Sequence, residues 1–171
     1  MRLKQHNIKR IAFIGIFAAI AMIFSYVEIL IPPIFAAVPG IKLGLPNVAI
    51  IFILYRLGWI DAAVVSFVRL VLTAMLFGNT MTFAYSVAGA LLSLIVMAIL
   101  KKINVFSTIG VSVAGAVCHN IGQIFVAILL LDTPQIAYYL IVLTVTGTIS
   151  GVLVGLCGAM LINRVPLSRI K

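Results

Sequence analysis

The sequence predicts an all-α protein that crosses a membrane six times. Three observations carry that prediction. The chain of 171 residues is 64% hydrophobic and only 9% charged, more apolar surface than a water-soluble domain of this length covers with polar groups. Its uninterrupted apolar stretches approach the roughly 20 residues that a helix needs to span a bilayer core. Lysines and arginines, Arg69 apart, are almost absent from those stretches and gather at every second gap between them.

On that ruler, one transmembrane domain over 1–171 holds helices near 10–30, 46–58, 60–77, 82–100, 107–131 and 136–162. The first lacks a small-residue cleavage pattern ahead of a polar region, so it reads as a retained helix rather than a signal peptide. Pro32, Pro33, Pro39, Gly40, Gly44 and Pro46 exclude a continuous helix after it and define a loop over 31–46. Helix two is short. The break Gly58-Trp59-Ile60-Asp61 turns it tightly into helix three, with Asp61 near an N-cap. Asn79 and Thr80 separate helices three and four, and Lys101, Lys102 and Asn104 separate four and five. Asp132 and Thr133 precede Pro134, which opens helix six.

Orientation follows from counting cations by side. With the N-terminus in the cytoplasm, Arg2, Lys4, Lys9, Arg10, Arg56, Lys101, Lys102, Arg164, Arg169 and Lys171 lie inside and only Lys42 outside. That asymmetry places both termini in the cytoplasm and makes this a multi-pass protein of the plasma membrane. The formal net charge of +9 is spread over segment ends, not gathered in one patch with interleaved aromatics. It points to anionic lipid headgroups and away from nucleic acid. Cys118 and Cys157 fall inside apolar segments and read as small buried hydrophobes.

Chemistry is limited by what the chain lacks. Its acidic residues, Glu28, Asp61 and Asp132, lie near helix ends and form no aspartate-rich Mg²⁺ motif, and no glycine-rich phosphate loop with lysine is present. An enzyme, a nucleotide-binding protein or a cofactor carrier is therefore not expected. His119 has only His6 as a second histidine and no cysteine at ligand spacing, so no metal site is expected. Nor does a carboxylate sit at matching depth to serve His119 in catalysis.

What remains is a set of polar residues at depth. Arg69 lies midway along helix three, where a charge is costly and faces a protein interior or an aqueous cavity. His119, Asn120 and Gln123 share one face of helix five with Ala116 and Ala127, while Ile121, Ile124, Phe125 and Ile128 face elsewhere. The two clusters share a depth, so a cavity between them would suit an anionic or strongly hydrogen-bonding small molecule. The plainer reading is interhelical hydrogen bonding, worth about 0.6 kcal/mol per bond. In the loop, Lys42 and Asn47 stand where an incoming ligand would pass, and Asn79 marks the rim at the other external turn, with Thr80 and Tyr85. Small residues shape two helix faces. Gly147, Gly151 and Gly155, followed by Ala159, suit packing inside the bundle. Gly15 and Ala19, among Ala12, Ala18 and Ala21, suit a face for a partner protein.

The run Gly40-Ile-Lys-Leu-Gly-Leu-Pro-Asn47, the segment from Arg69-Leu-Val-Leu to Leu76-Phe-Gly-Asn79, and His119-Asn-Ile-Gly-Gln123 together resemble the Gx transporter family. Its members are often labelled heptaprenyl diphosphate synthase component I. That family is similar to the substrate-binding S-components of energy-coupling-factor (ECF) transporters. The resemblance implies a six-helix bundle with an external first loop closing over a small solute held by Lys42, Asn47, Arg69, Asn79, His119, Asn120 and Gln123. It also implies a helix-one face, here Gly15 and Ala19, that docks on a transmembrane coupling subunit working with ATPases. The synthase label implies instead an accessory subunit of isoprenoid or quinone synthesis, or of membrane electron transfer. Prenyl-chain elongation itself needs carboxylates holding Mg²⁺ against a diphosphate, which this sequence does not supply.

Overall fold

The computed structural model describes residues 2–30, 44–77 and 80–165, with side chains from Ile8 onward. These residues form six α-helices: α1 (Arg2–Leu30), α2 (Asn47–Arg56), α3 (Trp59–Phe77), α4 (Thr80–Ile103), α5 (Thr108–Leu131) and α6 (Tyr139–Arg164), the last preceded by a 3₁₀ turn over Pro134–Tyr138. Several boundaries move from those expected: Thr80, Lys101 and Lys102, read as separators, belong to α4, and α2 is trimmed from 46–58 to Asn47–Arg56. Helix one begins eight residues earlier than the 10–30 predicted, because its basic first turns continue the same helix. The predicted 136–162 helix divides, since Pro134 opens a 3₁₀ turn before regular α geometry sets in at Tyr139.

Five helices are long and apolar enough to cross a membrane; α2 is not. Its ten residues rise about 15 Å, half of a bilayer core. What α2 lacks in length it makes up in burial. Ala49, Ile50, Ile51, Phe52, Ile53 and Leu54 are consecutive and all buried, with Phe52 and Ile53 fully so. A helix apolar all round belongs inside a protein, and α2 is the central post of this one. It packs on α1, α3 and α6. The Phe52 ring stacks on Phe17 of α1 with centroids 4.6 Å apart.

The ends of α2 differ. At its C-terminus, Lys101 of α4 donates to the Leu54 carbonyl at 2.5 Å, and the Arg56 guanidinium donates to the Ile162 carbonyl of α6. Cations are favourable against the carbonyl end of a helix. Gly58, at φ +122°, then turns the chain into α3. There Asp61, 5% exposed, receives a two-pronged contact from Arg10 of α1, with the shortest N···O distance 2.7 Å. These contacts gather the start of α1 and α3 and the end of α2, α4 and α6 at one basic end of the bundle. At its N-terminus, by contrast, α2 stops at mid-bundle and leaves a space above it.

Close packing of α4, α5 and α6 walls that space. A Cβ added at Gly151 would stand 2.7 Å from Val113 Cα, and one at Gly155 would stand 2.7 Å from Ile109 Cα. The four-residue glycine repeat of α6 therefore lets its backbone lie against α5. Gly158, rather than Ala159, continues this small face, meeting Ile51 of α2. The exterior is apolar, with residues such as Met75 (77% exposed) and Phe125 (63%) outermost, as a lipid-facing surface requires.

Candidate functional site

Five helices and the turn ahead of α2 aim polar groups into the space above α2. The cavity measures about 90 Å³ and is lined by Ser25 and Glu28 of α1, Gly44, Pro46 and Asn47 at the head of α2, Arg69 and Thr73 of α3, Ser86 of α4, Ala116, His119, Asn120 and Gln123 of α5, and Gly147 and Ser150 of α6. One water needs about 10–15 Å³ on this measure, so several waters or a small organic molecule fit. A smaller chamber of about 20 Å³ shares Gly44, Asn47, Ala116 and Ser150 with it and continues down α2 past Ser93 and Ser112.

Arg69 is the electrostatic centre. It stands ten residues beyond Trp59, about 15 Å along α3, and is 9% exposed. Its Nε is buried without a hydrogen-bond acceptor, a costly condition for a cationic donor. Glu28 supplies the nearest compensating charge: it acts electrostatically on Arg69 while its carboxylate accepts the Gly44 N–H. Thr73 follows Arg69 by one helical turn, and its Oγ1 is also buried without a partner.

The α5 residues have divided loyalties. Asn120 donates through Nδ2 to the Leu143 carbonyl of α6 at 2.6 Å, and the missing side chain of Gly147 makes room for that amide. Interhelical hydrogen bonding therefore occupies its amide nitrogen while the residue still borders the cavity. His119 and Gln123 reach the cavity because α4 carries Gly89 where they cross. A Cβ there would stand 2.7 Å from the His119 carbonyl and 2.9 Å from Gln123 Cγ.

Of the residues singled out from sequence, Asn47, Arg69, His119, Asn120 and Gln123 meet at this one cavity. Lys42 and Asn79 lie outside the described residues. Gly15 and Ala19 lie far from it in character, exposed on the outward face of α1, and a Cβ at Gly15 would meet nothing within 4 Å. Their neighbours divide: Ala12 is exposed with them, while Ala18 and Ala21 turn inward to the core. One expectation is overturned. A carboxylate does share the site with His119: Glu28, near the end of α1, lines the same cavity and accepts the Gly44 N–H. Ser25, Glu28, Thr73, Ser86 and Ser150 are polar cavity residues that sequence reasoning missed. Thr73 had a signal in its i+4 spacing from Arg69. Among the described residues, no three His, Cys, Asp or Glu side chains come together as a metal site would need.

An all-helical bundle with five potential membrane spans and a charged chamber at its centre defines a polytopic membrane protein with an internal polar site. The chain belongs to the family described as heptaprenyl diphosphate synthase component I, whose model matches residues 17–161. No curated protein and no solved structure matches it.

Proposed function

We propose that the protein is the substrate-capture subunit of an ECF-type importer, binding a small anionic or polar organic solute in the Arg69 cavity. One observation carries the reading: a guanidinium nine-tenths buried at mid-bundle, on a residue that lines a space large enough for a solute. Such a group is expensive to keep in a protein with no use for it. The basic end of the bundle, with Arg10, Arg56, Lys101, Lys102 and Arg164, is then cytoplasmic in the plasma membrane, and the solute reaches the cavity from the opposite side. Movement across the membrane requires partners, a transmembrane coupling subunit and ATPases, because the sequence carries no nucleotide-binding loop. Ala12, Gly15 and Ala19, exposed on α1, offer the coupling subunit a surface that permits close helix approach.

The family description favours a second reading, an accessory membrane subunit of an isoprenoid, quinone or electron-transfer system. Affinity purification from the protein's own membrane separates the two. Recovery of a coupling subunit with ATPases supports import. Recovery of a prenyl synthase or redox protein in their place rejects it.

A further inference from the structure

We infer that the smaller chamber beside α2 is a built hydration site, in which Ser93 of α4 and Ser112 of α5 share one tightly held water. The inference rests on this chamber alone and holds whether or not the larger cavity captures a solute.

The hydroxyls set the demand. Ser93 and Ser112 are only 6% and 4% exposed. Helical hydroxyls commonly return to the carbonyl four residues back, and here Ser25 does so to Ala21 (3.0 Å), Thr144 to Leu140 (2.7 Å) and Thr148 to Thr144 (2.8 Å). Among the described residues, Ser93 and Ser112 bond neither to such a carbonyl nor to each other. They are not sealed in as Thr73 Oγ1 is; both line the chamber. Gly115 of α5 keeps that space open. A Cβ there would stand 3.2 Å from Ser93 Oγ and 2.6 Å from Met97 Sδ. A buried hydroxyl without an acceptor is costly, and the chamber offers room for one.

Size and charge select the occupant. The chamber measures about 20 Å³, and one water needs about 10–15 Å³ on this measure, so it takes one water and not two. Apolar voids of such size stay dry, whereas a water is retained where roughly two to four polar partners surround it. Ser93 and Ser112 supply two, and the side chains of Ser150 and Asn47 border the same space. Ser150 donates its proton to the Gly147 carbonyl at 3.2 Å, which leaves its oxygen able to accept. A cation fits the chemistry badly. Among the described residues no aspartate or glutamate lines the chamber, and Arg69 lines the adjoining cavity, so the charge would be buried without a counter-ion. Asn47 and Ser150 belong to both spaces, and through them the water gives the Arg69 cavity a hydrogen-bonding floor.

The test is a crystal structure of the full-length protein grown from a lipid mesophase, with thermal unfolding beside it. One ordered peak is expected within about 3 Å of both the Ser93 and Ser112 Oγ atoms. The melting temperature should be the same in sodium chloride as in choline chloride of equal concentration. Ser93→Ala and Ser112→Ala each remove a partner of the same water, so the double variant should lose less melting temperature than the two single losses summed. Should a variant fail to fold, the wild-type density and the salt comparison still decide the matter. An empty chamber, density continuous with a larger molecule in the Arg69 cavity, a melting temperature raised by sodium and not by choline, or additive losses would each overturn the inference.

Discussion

Replacing Gly122 by alanine tests the crossing of α4 and α5 on which the cavity wall depends. A Cβ at this position would stand 2.8 Å from the Ala88 carbonyl oxygen, 2.9 Å from Gly89 Cα and 3.0 Å from the Ala88 carbonyl carbon. All three are backbone atoms, so no side chain can swing aside and the helices must part by several tenths of an ångström. Overpacking of this kind costs about 1–3 kcal/mol. Alanine also gains up to about 1 kcal/mol over glycine in helix propensity, which partly hides the cost. Gly15→Ala isolates that gain, because its Cβ meets nothing within 4 Å. The difference between the two variants is therefore the packing cost alone. At about 2–4 °C per kcal/mol for a chain of this size, Gly122→Ala should melt roughly 2–12 °C below Gly15→Ala in detergent. Gly122 lies between His119 and Gln123, so retention of bound solute should fall as well. Equal melting temperatures would refute the close helix approach.

Phe52→Ala should cost about 3–5 kcal/mol, since the ring is fully buried in α2 and stacked on Phe17; thermal unfolding reads the loss directly. Arg10→Met strips the guanidinium from a carboxylate that is 5% exposed and should cost about 1–3 kcal/mol. Adding Asp61→Asn should recover part of that loss in a double-mutant cycle, whereas additive effects would show that the pair is not coupled. Gly15→Leu should leave the melting temperature near that of the parent but remove a coupling subunit from the purified complex.

The parts of this molecule legible in the sequence were those governed by local rules. Helical periodicity placed His119, Asn120 and Gln123 on one face, and apolar segment length put Arg69 at their depth. The proline and glycine run before Asn47 likewise marked α2 as short. Its burial was not legible, because an apolar run in a membrane protein satisfies lipid and protein core equally well. Glu28 escaped for a related reason. A carboxylate near the end of an apolar segment reads as interfacial, and it is the packing of α1 on α3 that brings it beside Arg69. Thr73 escaped because threonine is ordinary in a helix, and its meaning lies in a hydrogen bond it does not make. Gly89 and Gly122 were passed over because neither belongs to a four-residue repeat within its own helix, although the two stand opposite each other at the crossing.

Native mass spectrometry of the protein purified from its own membrane puts the account to its most direct trial. The wild-type chain should carry a stoichiometric small molecule, and Arg69→Ala, purified in parallel and still folded, should arrive without it. A wild-type protein with no bound mass, or an Arg69→Ala variant that keeps the same mass at the same occupancy, would contradict the account.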